Sequence, residues 1–361
     1  MKKIISILLY PISLIYGLIV LIRNKFFDWN IISSKEFSLP VIAVGNLTVG
    51  GQGKTPHIEY IINLLFKDFK VATLSRGYKR KTKGFYLATV DCCYEEIGDE
   101  PMQYKTKYPD IPVAVDENRV RGIEQLMENF NDLDVILLDD AFQHRYVKPG
   151  INILITDYSK LYIEDYVLPS GKLREFASGS NRADIIIVSK TPRVLSPIDR
   201  RRIRSELKPL QYQQIYFSYI DYDKPRNIFT NEILHNLSDF SVLLVTGIAN
   251  PIPLLYEIKS KAQNVKHIRF ADHHDFTKED LEKIKKEYQN IFRPNKIILT
   301  TEKDFMRLKR DNFKQSLEGF PVYYIPIQVK FHGNDKQEFN EQIIKYVTAN
   351  TKSRKFFESK D

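Results

Sequence analysis

The chain of 361 residues is poor in cysteine, and it contains neither internal repeats nor low-complexity segments. Its two cysteines, Cys92 and Cys93, are adjacent, so they form neither a disulfide framework nor a CxxC metal pair. We interpret them as ordinary thiols near a turn, in a chain suited to a reducing compartment. The sequence also lacks zinc-finger spacing and Arg-Gly repeats, so nucleic acid is not an expected partner.

The charge balance is basic. The chain has 54 Lys and Arg against 45 Asp and Glu, a formal net charge of +9. This excess favours anionic partners such as phospholipid headgroups or phosphorylated substrates. Hydrophobic residues make up 43% of the chain, which is enough for a folded core, and the length allows two domains.

An uncharged run over residues 4–22 follows Met1-Lys2-Lys3 and is closed by Arg23 and Lys25. As a helix it would rise about 28 Å, close to the hydrocarbon thickness of a bilayer. Pro11 and Gly17 interrupt the run, so a full span and a helix lying in the interface both stay open.

We expect this segment to attach the chain to a membrane, with Arg23, Lys25 and Lys35 at the cytoplasmic headgroups. A buried core helix is the first alternative. A cleaved signal peptide is the second, although no small-x-small cleavage site precedes the next charges.

Short apolar runs alternate with segments of helical spacing over the next part of the chain. The runs predicted to be buried strands are 41–44, 71–75, 111–115, 135–138, 151–156 and 185–189. The predicted helices between them are 56–66, 102–107 and 119–130. This alternation predicts a doubly wound parallel sheet with crossover helices.

The pattern changes beyond about residue 195. Residues 214–222 and the stretch to Phe229 read as extended strands, with a linking hairpin as one interpretation. Apolar runs at 242–245, around Ile268, at 297–299 and at 322–325 indicate a second α/β unit, closed by a helix at 338–347. The predicted domains are a membrane-anchor helix (1–30), a P-loop nucleotide-binding α/β domain (31–195), a linker with extended strands (196–240) and a second α/β domain (241–361).

A glycine-rich segment lies between the first strand and the first helix of the sheet. Its residues are Thr48, Val49, Gly50, Gly51, Gln52, Gly53, Lys54 and Thr55. A P-loop belongs at this position, because backbone N–H groups and a helix N-terminus there face an anion. Lys54 would bind the β- and γ-phosphates of ATP, and the Thr55 hydroxyl would bind Mg²⁺. Thr48 stands where the first glycine is expected, and an ordinary glycine-rich turn is the alternative.

Asp139 and Asp140 follow four apolar residues at the end of a predicted strand. A Walker-B carboxylate, which holds Mg²⁺ beside the P-loop threonine, occupies this position. Adjacent carboxylates point in different directions, so we expect one to bind the metal and the other to orient its water shell. Solvated aspartates at a strand end are the alternative.

Two further polar groups are ambiguous from their spacing alone. Asp99 lies in the turn Gly98-Asp99-Glu100-Pro101 near the start of a helix, where a capping aspartate is the simpler interpretation. His273 and His274 are adjacent, which is not the spacing of a standard metal-ligand pair, so a loop histidine cluster is favoured.

Several motifs taken together resemble the tetraacyldisaccharide 4'-kinase family, the P-loop kinases of lipid A synthesis. The motifs are Val44-Gly45-Asn46-Leu47-Thr48-Val49-Gly50-Gly51-x-Gly53-Lys54-Thr55-Pro56, Ser75-Arg76-Gly77-Tyr78, Gly98-Asp99-Glu100-Pro101, Asp139-Asp140-Ala141-Phe142-Gln143-His144-Arg145, Leu168-Pro169-x-Gly171-x-Leu173-Arg174-Glu175, Asp272-His273-His274 and Thr301-Glu302-Lys303-Asp304. They run from about residue 41 to 304 in the order of that family. Gln52 departs from the small hydroxyl residue usual in the family's loop.

The resemblance implies a two-domain α/β enzyme at the cytoplasmic face of the inner membrane, acting as a monomer. It would use ATP and Mg²⁺ to phosphorylate the 4'-hydroxyl of a tetraacyl glucosamine disaccharide 1-phosphate, which makes lipid IVA. It also implies that Asp99 is the catalytic base, assisted by His273, with His274 left open for that role. Lys54 and Mg²⁺ would offset the charge of the transferring phosphoryl group. The candidates for binding phosphate or sugar are Arg76, Gln143, His144, Arg145, Lys172 and Arg174.

Two other functions fit part of the sequence. A membrane-attached P-loop NTPase acting in metal insertion or protein targeting would share the loop and the Walker-B carboxylates. A nonenzymatic nucleotide-gated adaptor would share the loop and the anchor. The NTPase does not account for the anchor together with the motifs GDEP, DDAFQHR and LPSGKLRE, and the adaptor does not account for the presence of both Asp99 and His273.

Overall fold

The computed structural model describes residues 2–308 and 315–358. Within these ranges the strands form one sheet of nine strands and one of five. In chain order they are β1 (Val41–Gly45), β2 (Val71–Ser75), β3 (Tyr86–Leu87), β4 (Val113–Val115), β5 (Val135–Asp139), β6 (Ile151–Asp157), β7 (Ile185–Ser189), β8 (Gln214–Tyr222), β9 (Arg226–Asn227), β10 (Ser241–Thr246), β11 (Asn264–Arg269), β12 (Lys296–Thr301), β13 (Val322–Ile325) and β14 (Ile327–Phe331).

The α-helices lie between these strands and at both ends of the chain. They are α1 (Lys2–Asp28), α2 (Lys54–Leu65), α3 (Tyr94–Ile97), α4 (Asp99–Lys107), α5 (Arg119–Asn129), α6 (Pro197–Leu207), α7 (Ile252–Lys259), α8 (Lys278–Gln289), α9 (Glu302–Leu308) and α10 (Asp335–Glu358). The predicted helix at 102–107 thus begins three residues earlier, and Asp99 is its first residue rather than its cap.

The nine-stranded sheet has the order β14-β8-β7-β6-β1-β5-β2-β4-β3. The strands from β8 to β4 in this order are mutually parallel, and β14 and β3 add antiparallel edges. Helices α2 and α10 pack on one face, and α5 and α6 pack on the other. Both faces are therefore covered, which explains why the central strands are continuous apolar runs. The predicted doubly wound parallel sheet is confirmed.

The second sheet has the order β11-β10-β12-β13-β9, parallel except for the β9 edge. The hairpin interpretation of residues 214–229 is wrong. Strand β8 pairs with β7 and β14 in the first sheet, whereas β9 pairs with β13 in the second. The first sheet therefore includes strands from residues 214–222 and 327–331.

Helix α1 lies along the surface of the nine-stranded unit. The Ser13 hydroxyl accepts a hydrogen bond from the Ser170 N–H at 2.8 Å, and the Tyr16 hydroxyl donates to the Arg174 carbonyl at 3.1 Å. Asn24 donates to the Glu175 carboxylate at 2.7 Å, and Phe27 is buried. These contacts run along one side of the helix and leave its aliphatic side chains exposed on the other.

Candidate active site

The segment after β1 has the backbone of an anion-binding loop. Gly50 and Gly53 adopt φ angles of 114° and 95°, which favour glycine, and Gly53 caps the N-terminus of α2. Helix α2 then begins at Lys54. The predicted glycine-rich loop between strand and helix is present, with its N–H groups at a helix N-terminus where phosphate binds favourably.

Lys54 lies among polar groups at the end of the first sheet. Its ammonium nitrogen donates to the Asn46 side-chain oxygen at 3.1 Å and lies 3.5 Å from the Asp140 carboxylate. The Asn46 amide in turn donates to the Thr48 carbonyl at 2.7 Å. These contacts hold the lysine in the position from which it can reach a phosphate bound by the loop.

Two other segments fix the loop from outside. The Val49 N–H donates to the Lys172 carbonyl at 2.8 Å, and Thr48 forms an isolated β-bridge with Leu173. On the other side Lys190, which follows β7, donates to the Gly51 carbonyl and pairs with Asp157 at 2.8 Å. A loop that lacks the first glycine is thus braced by two neighbouring segments of the chain, and the sequence analysis did not single out Lys190.

The two aspartates at the end of β5 have different surroundings, as expected. Asp139 is buried, and one of its oxygens accepts a hydrogen bond from the Tyr104 hydroxyl at 2.9 Å. Its other oxygen, Oδ1, is buried and has no hydrogen-bond partner among the residues that the structure describes. Burial raises the pKa of Asp139 to about 7, and the adjacent Asp140 charge adds to the rise. A divalent cation would reverse this effect, so the orphaned oxygen fits a metal ligand.

Asp140 is held by cations instead. Arg174 forms two hydrogen bonds to its carboxylate, at 2.9 and 3.0 Å. Burial favours the protonated acid, but Lys54 and Arg174 outweigh it and lower the pKa of Asp140. Gln143 accepts from Arg174 at 3.2 Å and donates to the Asn46 carbonyl at 2.9 Å. Arg174 and Gln143, both predicted substrate ligands, thus lie beside the loop.

Asp99 meets side chains of the second sheet. The Nε of Arg307 donates to its Oδ1 at 3.0 Å, Nη2 of the same arginine donates to Oδ2, and Nδ1 of His273 lies 2.9 Å from Oδ2. Burial acts to raise the pKa of Asp99, but the hydrogen bonds from His273 and Arg307 outweigh it and hold that pKa well below its usual range. Asp99 is therefore ionised at neutral pH.

The structure distinguishes the two histidines. Nδ1 of His273 lies 2.9 Å from Asp99 Oδ2 and 2.8 Å from Nη2 of Arg307, and its Nε2 lies 2.9 Å from the Lys303 ammonium. His274 instead stacks on Phe270, with ring centroids 4.6 Å apart, and contacts Asp280 at 2.8 Å. His273 lies in the site, and His274 packs beneath it in the second unit.

The other predicted substrate ligands are dispersed. Arg145 binds Asp28 at 2.8 Å and the Asn24 carbonyl at 2.6 Å, so it contacts α1. The Arg76 and Lys172 side chains are exposed, and the His144 ring packs on Tyr146. Burial, with nearby arginine charges, lowers the pKa of His144 to about 4, so this histidine is neutral.

Sequence reasoning missed several residues of the site. Tyr104 and Lys190 had no motif to mark them. Arg307 lies four residues beyond Lys303 on α9, a spacing that places both side chains on one face of the helix and could have pointed to it. Arg119 is also buried, and its Nε has no hydrogen-bond partner in the described part of the chain.

The parallel sheet, the braced loop and the carboxylates beside it define a nucleotide-binding protein of the P-loop phosphotransferase class. A family model described as tetraacyldisaccharide-1-P 4'-kinase (LpxK) matches residues 5–348, and the chain belongs to this family.

Individual relatives match along almost the whole chain. A tetraacyldisaccharide 4'-kinase from Phocaeicola vulgatus is 47% identical over 354 residues, which cover 96% of this chain and 97% of the relative. One from Flavobacterium johnsoniae is 48% identical over 348 residues, covering 95% and 97%. The crystal structure of an "apo" form of LpxK from Aquifex aeolicus in complex with ATP superposes with a TM-score of 0.71 at 27% identity, covering 95% of this chain and 99% of that one.

Proposed function

We propose that this protein transfers the γ-phosphate of ATP to the 4'-hydroxyl of a tetraacyl glucosamine disaccharide 1-phosphate, giving lipid IVA and ADP. The observation that carries the proposal is the joint presence of the braced P-loop and the Asp99–His273 pair in a chain that matches the kinase family over residues 5–348. The loop supplies a phosphate site, and the pair supplies a proton acceptor for an alcohol nucleophile.

In the proposed reaction the 4'-hydroxyl gives its proton to the Asp99–His273 pair as its oxygen bonds to the γ-phosphorus. The bond from that phosphorus to the β,γ-bridging oxygen breaks, and ADP leaves with the electron pair. Lys54 and the loop N–H groups stabilise the charge on the phosphates. Lys303, beside His273 Nε2, adds a further positive charge near the proton acceptor.

Asp139 and Thr55 are the proposed Mg²⁺ ligands, because Asp139 Oδ1 is a buried carboxylate oxygen with no partner within residues 2–308 and 315–358. An ion held by these two residues would offset the negative charge of the phosphates. Asp140, held by Arg174 and Lys54, would orient its water shell.

Helix α1 is proposed to lie in the interface of the inner membrane, at its cytoplasmic face, rather than to span the bilayer. By length and composition Ile7–Asp28 could cross a bilayer, since an 18-residue window within it has a mean hydropathy of 1.8. However, Ser13, Tyr16 and Asn24 bond to the folded unit, and a spanning helix would draw that polar surface into hydrocarbon. The outward face would insert into lipid; it consists of Ile7, Leu8, Ile12, Ile15, Ile19 and Ile22.

The test is incubation of the purified full chain with labelled ATP and tetraacyl disaccharide 1-phosphate in mixed micelles. We expect label on the lipid at the 4' position and an equal amount of ADP. Hydrolysis of ATP that does not depend on lipid would support an NTPase instead, and no turnover would support an adaptor. Light scattering of the solubilised chain would test the proposed monomer.

A further inference from the structure

A group of buried charges lies away from the reacting atoms and has no part in the proposed chemistry. It consists of Glu59 on α2, Gln103 and Lys107 on α4, and Glu302 at the start of α9; we call it the buried ion cluster. The Lys107 ammonium lies 2.7 Å from the Glu59 carboxylate and 3.0 Å from that of Glu302. Gln103 donates to Glu59 at 2.7 Å and to Glu302 at 3.4 Å.

Stability alone is a poor reason for such a cluster. Glu59 and Glu302 are only 4% and 6% exposed, and one ammonium faces both carboxylates. Taking these charges out of water costs free energy that their attraction only partly offsets, and well-packed apolar residues serve stability as well or better. Burial raises the pKa of Glu59 to about 7 despite the opposing effect of Lys107, which reflects this cost.

The helices that meet at the cluster are those that carry the reacting groups. Helix α2 begins with Lys54, and α4 begins with Asp99. Helix α9 carries Arg307, which binds Asp99. The cluster therefore joins the phosphate site, the proton acceptor and the second sheet.

The contacts between α4 and α9 also fix the register of the two helices. Asp99, Gln103 and Lys107 are spaced by four residues, so they lie along one face of α4. Asp99, a carboxylate at the start of α4, pairs with the cation Arg307 near the end of α9. Lys107, a cation at the end of α4, pairs with the carboxylate Glu302 at the start of α9. Two ion pairs of opposite polarity resist sliding, because a shift by one turn would break both.

We propose that Lys107 is a positioning residue for phosphoryl transfer: through Glu302 and Glu59 it holds α4 in register with α9 and α2, and so fixes Asp99 relative to the P-loop. This inference rests on the proposed function, since that reaction needs a proton acceptor at a set distance from the γ-phosphate. Displacement of a reacting group by about 1 Å costs up to about a hundredfold in rate.

The test compares Lys107→Met, which keeps the length of the side chain and removes its charge, with Lys107→Arg, which keeps the charge. We expect Lys107→Met to lower kcat at least about tenfold while the KM for ATP stays within about threefold, because the loop itself is untouched. Lys107→Arg should recover most of kcat. Lys148→Met is the matched control, since Lys148 pairs with Glu36 on the exposed surface.

Glu302→Gln provides a second route if Lys107→Met does not fold, because it weakens the α4–α9 contact and leaves the Lys107–Glu59 pair. It should lower kcat in the same way. Wild-type kcat in whichever variants fold would overturn the positioning role. The positioning role would also be overturned if kcat fell in proportion to the melting temperature and Lys107→Arg did not restore it. If the wild-type chain and Lys148→Met do not phosphorylate the lipid at all, the proposed function fails, and the positioning role fails with it.

Discussion

The two halves of the candidate site are built in different ways. On the first sheet, the proposed phosphate site consists of one continuous loop whose backbone groups would bind the phosphates, with Lys54 at the start of the next helix. The proposed proton-accepting half instead consists of side chains that meet between the two sheets: Asp99 from α4, His273 from the turn after β11, and Arg307 from α9. The first half is set by local chain geometry, and the second depends on how the two units pack.

This difference predicts different responses to substitution. Substitutions in the loop half should weaken the binding of nucleotide or the stabilisation of negative charge on the phosphates. Changes in the other half should affect the proton transfer and its dependence on pH. The predictions below test this division.

The largest effect is expected for Lys54→Ala. Lys54 is the one charged residue within the loop sequence 48–55, and its loss removes the cation that would stabilise the transferring phosphoryl group. We expect turnover to fall by about a thousandfold. Phosphorylation of the lipid, measured with labelled ATP, checks this, with Lys148→Ala as a surface control. Near-normal activity would contradict the assignment of the P-loop.

Arg307→Gln should change the pH dependence of the other half. Burial acts to raise the pKa of Asp99, and Arg307 is one of the groups that hold it low. Without the arginine the pKa of Asp99 rises, so Asp99 becomes protonated at a higher pH. The pH below which activity is lost should therefore rise as well. We expect the acid limb of kcat to move up by about one pH unit or more. The measurement is a pH profile of lipid phosphorylation at saturating ATP.

The control for that profile is Arg202→Gln, which removes an exposed arginine on α6. It should leave the acid limb where it is. If Arg307→Gln and Arg202→Gln give the same profile, ionisation of Asp99 does not control the rate.

The same contrast explains what could be predicted from the sequence. The P-loop is contiguous, and it lies between an apolar strand and a helix, so its position could be predicted from local pattern, as could the role proposed for Lys54. Asp139 followed for the same reason, because a polar residue after a buried strand lies at the edge of the sheet. The central parallel strands are apolar throughout and were predicted within about two residues.

Contacts between segments that lie far apart in the sequence could not be predicted from local pattern. Arg307 binds Asp99 across a sequence separation of 208 residues, and no spacing rule connects them. Asp99 alone looked like a helix cap, and only the family resemblance suggested a catalytic role. The hairpin interpretation failed for a related reason. Strand β8 pairs with β14, which lies about a hundred residues further along the chain, whereas sequence pattern alone favours pairing with the next extended segment.

A smaller effect is expected for Lys190→Met, which tests the brace on the loop. Lys190 donates to the Gly51 carbonyl and does not belong to the loop itself. Its loss should leave the loop present but less ordered. We expect the KM for ATP to rise by about fivefold with kcat changed less than about twofold, since binding is weakened in ground and transition state alike. A fall in kcat at constant KM would instead place Lys190 among the groups that act in the transition state.

The smallest effect on turnover is expected for His274→Ala, and its adjacent partner supplies the comparison. The His274 ring packs on Phe270 and Phe276 and contacts Asp280, whereas the His273 ring contacts Asp99 and Lys303. Arg307 donates to the backbone carbonyl of His274 at 2.8 Å, so that contact survives the substitution.

His274→Ala should therefore lower the free energy of unfolding by about 1–2 kcal/mol and leave kcat within about threefold. His273→Ala should instead lower kcat by at least about a hundredfold with little loss of stability. Thermal unfolding and lipid phosphorylation, measured on both variants, give the two readouts. The reverse pattern would assign the role beside Asp99 to His274, and the arrangement of the second half of the site would have to be drawn again.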